Sequence, residues 1–271
     1  MNRDVGNAFA AAGAGRKCAL IPYFMAFYPN KRVFRDLLVA AQDAGADMIE
    51  VGIPFSDPIA DGPAIQEAGQ VAHTQGATPH RIFELLEKVG GEISVPLVAM
   101  TYANMPLRLG LDEFFARARS AGVRGAVIPD VPVEECGPFK KAANRHGVEL
   151  AQFVAPTTPK ARLPLICEAA DGFIYLVSVT GVTGARPEET FRLKDRVAAI
   201  RAATSLPVCV GFGVATGSQA AAVSRWADGV IIGSALIGVI KRNRSSAAKA
   251  VGRFLKNVRR KMDFAGGTTC E

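Results

Sequence analysis

The chain alternates between short apolar runs and longer amphipathic runs, and this alternation limits the folds that it can adopt. Four segments repeat one pattern, in which a helix ends on small residues, turns at glycine or aspartate, and enters a buried strand. These segments are AGADMIEVG (44–52), AGVRGAVIP (121–129), AADGFIYLV (169–177) and WADGVIIGS (226–234). Fully apolar strands that alternate with helices are typical of parallel sheets covered on both faces.

Eight strand–helix units follow one another along the chain. The apolar runs predict strands at residues 19–26, 48–53, 96–102, 125–129, 149–154, 172–177, 207–211 and 229–232. This repetition predicts an α/β fold, a (β/α)8 TIM barrel of eight parallel strands with active-site loops after the strands. We also expect an extra N-terminal helix and a short phosphate-binding helix from Ser234. A doubly wound open sheet is the alternative, disfavoured because no GxGxxG motif follows the first strand.

Length and composition are consistent with one domain over residues 1–271, since a chain that is 49% hydrophobic can bury one large core. Residues 1–14 would carry the leading helix, and we expect residues 265–271 to form a disordered tail. No apolar run reaches membrane-spanning length, and no signal peptide is evident. The five cysteines are scattered without a CxxC pair, which predicts reduced thiols and a cytoplasmic location.

The basic charge has a structural interpretation. The net charge is +7, and many of the 32 basic residues fall in the amphipathic segment 241–261. An apolar stripe along that segment predicts a helix whose basic face is solvated. No aromatic residues interleave the basic face and no nucleic-acid motif is present, so we expect no nucleic-acid partner. None of the three histidines lies at a predicted strand end, so a histidine-based metal site is not expected.

One carboxylate interrupts the second predicted strand. The stretch MIEVGIPFSDPIADGP (48–63) starts as a buried strand, and Glu50 lies within it. A charge in such a strand costs on the order of several kcal/mol unless it is paired or neutral, which indicates a functional role. The alternative is a residue that only caps the sheet or pairs with a buried arginine. Desolvation should raise the pKa of Glu50 and suit it to proton transfer, whereas Asp61, on the following loop, should ionise more easily.

Small residues cluster after the last three predicted strands. They are Thr183 and Gly184 after strand six, Gly211 and Gly213 after strand seven, and Gly233 and Ser234 after strand eight. Barrels commonly bind phosphate with these loops and with the N-terminus of a short extra helix. Glycine permits close approach of backbone N–H groups to the anion, and the helix dipole attracts it. The cluster therefore predicts a phosphate site, although any single glycine can also serve a turn.

Aromatic and apolar side chains at or near strand ends could line a slot beside this site. The candidates are Phe24, Tyr102, Ile128, Tyr175 and Phe212, and ordinary core packing remains the alternative for each. No predicted strand contains an interior lysine, so Schiff-base chemistry has no evident nucleophile. Acid–base work is therefore left to Glu50, Asp61 and Asp130.

At this point four motifs show a resemblance to a known family. IEVGIPFSDPIADGP (49–63), PDVPVEE (129–135), GVTGARPE (181–188) and GFGVATG (211–217) closely resemble the tryptophan synthase alpha chain, over most of residues 15–262. The resemblance implies a (β/α)8 barrel that cleaves indole-3-glycerol phosphate into indole and glyceraldehyde 3-phosphate in tryptophan biosynthesis. It implies acid–base roles for Glu50 and Asp61. It also implies phosphate binding by Gly184, Gly213, Gly233 and Ser234.

The resemblance further implies a partner. This is a beta chain that carries pyridoxal phosphate, in an alpha–beta–beta–alpha tetramer, while the alpha chain itself needs no cofactor. Pro54, Asp57, Pro132 and the segment 101–106 would lie on the docking rim, although loop shaping alone is the alternative for each proline.

Strand one departs from the family pattern. Large residues, Met25 and Phe27, stand where members more often have a small hydroxyl residue and a glycine, which could narrow the pocket. Three other functions stay open. They are a different barrel enzyme such as a sugar-phosphate isomerase, a free-standing lyase, and a non-catalytic subunit that only activates a partner.

Overall fold

The computed structural model describes residues 4–15, 18–178, 187–211 and 213–267. Eight parallel strands form a closed barrel in which each strand pairs with the next in sequence and the eighth pairs with the first. The strands are β1 (Ala19–Met25), β2 (Ile49–Gly52), β3 (Leu97–Met100), β4 (Val123–Val127), β5 (Glu149–Val154), β6 (Ile174–Val177), β7 (Val208–Gly211) and β8 (Gly229–Ile232). The prediction of a (β/α)8 TIM barrel is confirmed.

Helices surround the barrel. They are α1 (Val5–Gly15), α2 (Lys31–Asp43), α3 (Pro63–Thr74), α4 (Pro79–Val89), α5 (Asn104–Leu109), α6 (Leu111–Ser120), α7 (Gly137–Arg145), α8 (Leu163–Ala169), α9 (Pro187–Arg201), α10 (Gly217–Val223), α11 (Ser234–Arg242) and α12 (Ala247–Gly267). The extra N-terminal helix and the helix from Ser234 are α1 and α11. Helix α12 includes residues 265–267, for which we expected disorder, and residues 268–271 lie outside the described part. Within the described residues, none of the helices has the length and apolarity to cross a membrane.

The repeated sequence pattern corresponds to one local geometry. Gly45, Gly122 and Gly172 precede β2, β4 and β6 and have φ angles of 89°, 87° and 72°. Residues with a Cβ rarely adopt this left-handed region, so glycine allows the chain to turn from each helix into the next strand. The aspartates of the pattern form hydrogen bonds with neighbouring strands. The carboxylates of Asp47 and Asp228 accept the N–H groups of Leu20 in β1 and Val208 in β7, at 2.8 and 2.9 Å.

Helix α12 is joined to the barrel by a buried ion pair. Arg259 is 6% exposed, and its Nη1 lies 3.1 Å from Oδ2 of Asp47 and donates to the carbonyl of Cys18 at 3.1 Å. Its Nε donates to Asp263 at 2.9 Å. The expectation that the basic residues of this segment all face water is wrong at Arg259, because its guanidinium is needed to satisfy Asp47 and the carbonyl.

Removing Arg259 should therefore destabilise the fold. Breaking a buried pair leaves an uncompensated charge, so Arg259→Met should lower the free energy of unfolding by about 3 kcal/mol. Arg260→Met is the matched control, since Arg260 is exposed on the same helix, and its effect should stay within about 0.5 kcal/mol. Urea unfolding of both variants measures the difference. Equal stability of the two would show that the pair contributes nothing.

Candidate active site

A cavity of about 380 Å³ opens at the carboxyl ends of the strands. Its described lining comes from strand residues, from the segments after β6, β7 and β8, and from the start of α3 with the residue before it. These residues are Tyr23, Met100, Tyr175, Ser178, Ile231, Gly62, Pro63, Ala64, Ile65, Gly213, Gly233 and Ser234. Carboxyl ends of barrel strands are where such enzymes place their active sites. The cavity therefore joins the two clusters that the sequence singled out, the loop after β2 and the glycines after β7 and β8.

Glu50 is buried and, like Asp61, is not itself among the described lining residues. It pairs in register with Tyr23, a lining residue, so both side chains project to the inside of the barrel. Glu50 is 1% exposed, and neither of its carboxylate oxygens has a hydrogen-bond partner among the described residues. Burial, and then the nearby charge of Asp61, raise the pKa of Glu50 to about 8. The side chain is therefore mostly protonated at neutral pH.

Asp61 lies on the loop between β2 and α3, and Tyr102 holds this loop. The Tyr102 hydroxyl accepts a hydrogen bond from the N–H of Ala60 at 3.0 Å and donates one to the Asp61 carboxylate. The ring of Tyr102 stacks on that of Phe55, with ring centroids 5.3 Å apart. Burial raises the pKa of Asp61 to about 6, and the bond from Tyr102 opposes this rise. Oδ1 of Asp61 is buried without a partner among the described residues.

The two carboxyl groups thus differ in protonation at neutral pH. With pKa values of about 8 and about 6, Glu50 holds a proton while Asp61 is mostly ionised. Environments that separate the pKa values of two neighbouring acids commonly assign them different catalytic tasks. One group can donate a proton, and the other can stabilise a positive charge.

The opposite end of the cavity has the features of an anion site. Gly213 has a φ of 85°, and Gly233 immediately precedes the first residue of α11, Ser234. The first N–H groups of a helix lack intrahelical partners, so the N-terminus of α11 attracts negative charge. Thr183, Gly184 and Phe212, which we also expected here, lie outside the described residues.

Other predicted residues have different positions. Tyr175 lines the cavity, but Phe24 follows Tyr23 on β1 and so points to the opposite face, where it is fully buried. Tyr102 positions the Asp61 loop and is not in the described lining. The carboxylate of Asp130 accepts a hydrogen bond from the backbone N–H of Ala103, in the segment after β3, at 2.9 Å. This hydrogen bond gives Asp130 a structural role.

Tyr23 is one of several lining residues that sequence reasoning missed, together with Met100, Ser178, Ile231, Ala64 and Ile65. Every residue of β1 is buried, so the strand shows no polar alternation that would reveal which side chains face inward. Only the register of the strands in the structure shows that Tyr23 faces inward, since it pairs with Glu50. Its phenol lies against Gly52 of β2, where a Cβ would be only 2.6 Å from Cζ. Glycine at this position therefore makes room for the tyrosine.

The large residues at the end of β1 do not narrow the cavity. The Met25 methyl group lies beside Gly69 of α3, and Phe27 packs against Phe34 of α2 with ring centroids 6.4 Å apart. Neither belongs to the described lining. The concern that they would obstruct the pocket is therefore not supported by their positions.

The rim around the cavity includes exposed apolar groups. Ile59 and Leu107, on the segments after β2 and β3, are 83% and 55% exposed. Asp57 and Pro132 are exposed as well, but Pro54 is buried where the chain leaves β2. Pro54, which we expected in a partner interface, is therefore not accessible to another chain in this conformation.

Among the described residues, no cluster of three or more histidine, cysteine, aspartate or glutamate side chains could hold a metal ion.

Comparisons with known proteins agree with this architecture. The family model described as tryptophan synthase alpha chain matches residues 9–265. The tryptophan synthase alpha chain of Carboxydothermus hydrogenoformans is 46% identical over 240 residues, which are 88% of this chain and 89% of the relative. That of Gluconacetobacter diazotrophicus is 42% identical and covers 97% of this chain and 96% of its own.

Solved structures give the same result. Tryptophan synthase subunit alpha of Legionella pneumophila superimposes with a TM-score of 0.89 at 32% identity, over 97% of this chain and 99% of that one. A chain of Mycobacterium tuberculosis tryptophan synthase has a TM-score of 0.87 at 32% identity, over 96% and 98%. Matches of this extent show the family, so the chain belongs to the tryptophan synthase alpha chain family.

Proposed function

We propose that this chain is a carbon–carbon lyase that cleaves indole-3-glycerol phosphate to indole and glyceraldehyde 3-phosphate, in tryptophan biosynthesis. The observation that carries the proposal is the buried, unpaired carboxyl of Glu50, with a pKa raised to about 8, next to Asp61 with a pKa of about 6. A retro-aldol cleavage of this substrate needs one group that both gives and takes a proton, and one fixed anion. Family membership supports the same reaction.

Glu50 begins the reaction as an acid. Its protonated carboxyl gives a proton to C3 of the indole ring, which makes that carbon tetrahedral and places positive charge on the ring nitrogen. The ionised Asp61 accepts a hydrogen bond from the ring N–H. Because the ring becomes cationic only as C3 is protonated, Asp61 stabilises the transition state more than the bound substrate. The buried surroundings strengthen this interaction.

Glu50 ends the reaction as a base. The carboxylate that remains after the first step removes the proton of the hydroxyl on the carbon bonded to C3. That oxygen forms the aldehyde carbonyl, the C3–carbon bond breaks, and its electron pair neutralises the iminium and restores the indole ring. Glu50 is then protonated again, so one proton has entered at C3 and one has left the hydroxyl.

The phosphate would be held at the other end of the cavity. We assign it to the backbone N–H groups at Gly213, Gly233 and Ser234, together with Thr183 and Gly184, which lie outside the described residues. The helix α11 contributes its positive N-terminal end. Tyr175 and Phe212 would pack against the indole ring. This chain needs no cofactor for the chemistry.

We further propose that the chain works with a tryptophan synthase beta chain in an alpha–beta–beta–alpha tetramer. Pyridoxal phosphate would be bound by the beta chain only. The exposed apolar side chains of Ile59 and Leu107, with Asp57 and Pro132, give the rim a surface that a partner could cover. Docking there would order the loops around the site, and so raise kcat and retain the indole.

The other functions have less support. A sugar-phosphate isomerase with acids on strands one and five would need carboxylates beside the cavity. Strand β1 has none, and Glu149 lies at the amino end of β5, away from the cavity. A subunit that only activates a partner would have no use for the shifted pKa values of Glu50 and Asp61. A free-standing lyase differs only in the absence of a partner, which the following assay decides.

The first test measures indole release from indole-3-glycerol phosphate by the purified chain, alone and with its genomic beta chain. We expect slow release alone, much faster release with the partner, and a complex detectable by mass. Glu50→Gln should lower kcat by about 100-fold or more with little change in substrate binding, because an amide cannot transfer protons. A variant that keeps more than about a tenth of the wild-type kcat would exclude Glu50 as the acid and base. Full activity alone with no complex at micromolar concentrations would indicate a free-standing lyase.

The second test is the pH profile of kcat/KM. The active form has Asp61 ionised and Glu50 protonated, so kcat/KM should fall below about pH 6 and again above about pH 8. Asp61→Asn should lower kcat more than it raises KM, and it should remove the acidic limb. The substrate phosphate also titrates near about pH 6. An acidic limb that persists in Asp61→Asn therefore belongs to the phosphate and contradicts this assignment.

The third test concerns the phosphate site. A Cβ at Gly233 would meet Tyr23 and Ile65 at 3.5 and 3.7 Å, which is ordinary contact, so a side chain fits there but occupies the cavity. Gly233→Val should therefore raise KM and weaken inhibition by inorganic phosphate, with the melting temperature little changed. Gly137→Val, at an exposed glycine with open space around it, is the matched control. A crystal soaked in sulfate tests the same site directly. Sulfate bound at α12 instead of at the N-terminus of α11 would overturn the assignment of the phosphate site.

A further inference from the structure

Tyr23 connects the two ends of the cavity. Near the backbone, its Cβ and Cδ1 lie beside Gly233, since a Cβ built on that glycine would be 3.6 and 3.5 Å away. Its phenol reaches Gly52 of β2, where a built Cβ would overlap the hydroxyl. Gly52 lies two residues beyond Glu50 on the same strand and so on the same face. The side chain therefore runs from the proposed phosphate site towards the two carboxyl groups.

The hydroxyl of Tyr23 lies among the acid–base groups without being used by them. Neither oxygen of Glu50, nor Oδ1 of Asp61, has a hydrogen-bond partner among the described residues, so Tyr23 does not donate to these atoms. Burial, then the charges of Asp61 and Glu50, hold the pKa of Tyr23 well above its usual value. The phenol thus keeps its proton at every working pH and can act as a donor.

The proposed positions of the phosphate and the indole determine which part of the substrate lies beside this donor. If the phosphate lies at Gly233 and the indole lies between Glu50 and Asp61, the three-carbon chain that links them must pass along Tyr23. That chain carries two hydroxyl groups. A tyrosine that served only as an apolar wall would need no hydroxyl, and a hydroxyl left unpaired once the substrate covers it would cost free energy.

We propose that Tyr23 is a specificity-determining residue whose Oη donates a hydrogen bond to a hydroxyl of the substrate's three-carbon chain. This inference rests on the proposed lyase function and adds a recognition element to it. Tyr23 would select a hydroxylated linker over a plain hydrocarbon linker between the indole and the phosphate. A site built to bind a hydroxyl discriminates against ligands that lack it, because its own polar group is then left unpaired.

The test removes the hydroxyl from the protein and from the ligand in turn. Tyr23→Phe keeps the ring and loses only Oη. Indole-3-propyl phosphate, the analogue without the two hydroxyls, keeps both anchoring ends of the substrate. For indole-3-glycerol phosphate, Tyr23→Phe should lower kcat/KM by about three- to tenfold, the usual contribution of one hydrogen bond. Affinity for the analogue, measured by calorimetry on the same variant, should stay the same or increase.

Tyr28→Phe is the matched control. Tyr28 is also buried, but Glu67, Arg244 and Lys241 are the charged groups around its hydroxyl, and it is not in the described lining of the cavity. Its removal should leave both measurements unchanged. Melting temperatures of the two variants show whether either change acts through folding.

Each other outcome has one meaning. An equal loss for substrate and analogue would mean that the phenol acts as a wall, and an unchanged kcat/KM would mean that it makes no such bond. Either result overturns the inference and leaves the lyase function intact. A wild-type chain that neither releases indole nor binds the analogue, with the beta chain present, overturns the proposed function and this inference with it.

Discussion

The rest of the site depends on one carboxyl group enclosed by the barrel. Glu50 lies inside a closed ring of eight strands, and none of the described residues gives its oxygens a hydrogen bond. An ionised carboxylate in this position would cost on the order of several kcal/mol, so the group keeps its proton instead. Burying this carboxyl group is unfavourable for folding. The same burial keeps the group protonated, and so makes Glu50 an acid at neutral pH. Continuous strand pairing closes the barrel around it, and the ion pair of Arg259 with Asp47 joins α12 to that barrel.

Two tyrosines and two glycines shape the space above Glu50 in the same way. Tyr23 pairs with Glu50 and leans over Gly52, and Tyr175 pairs with Cys209 and leans over Gly211. In each case the glycine lies on the next strand, two residues beyond the register partner. Any larger residue at either glycine would collide with the ring. Because the two glycines have no side chain, both phenols can tilt towards the carboxyl ends of the strands, where they form walls of the cavity.

Much of the fold could be predicted from the sequence, because the glycines before β2, β4 and β6 and the aspartates before β2 and β8 each have a local geometric cause. Glu50 could be singled out because a carboxylate in an apolar strand is unusual, and Asp61 because it lies on the loop that follows that strand. The inward face of β1 could not be predicted, since all seven of its residues are buried and Phe24 and Tyr23 have similar character. Asp130 and Pro54 were misjudged for a related reason. Their environments, a backbone N–H group for Asp130 and a buried loop for Pro54, are set by tertiary contacts that neither residue signals.

Phe27 shows how the unusual strand one is accommodated. It has a φ of 62°, a left-handed conformation that costs a residue with a Cβ roughly 1–2 kcal/mol and that favours the glycine more often found in the family. Its ring is 1% exposed, packs against Phe34 and lies 5.5 Å from Nζ of Lys31. Burying such a ring contributes about 1.5–3 kcal/mol, which is enough to offset the strain. The ring points towards α2 and not into the cavity, so this substitution affects the stability of the turn after β1. The pocket itself is shaped by Tyr23, four residues earlier, whose ring faces the other way.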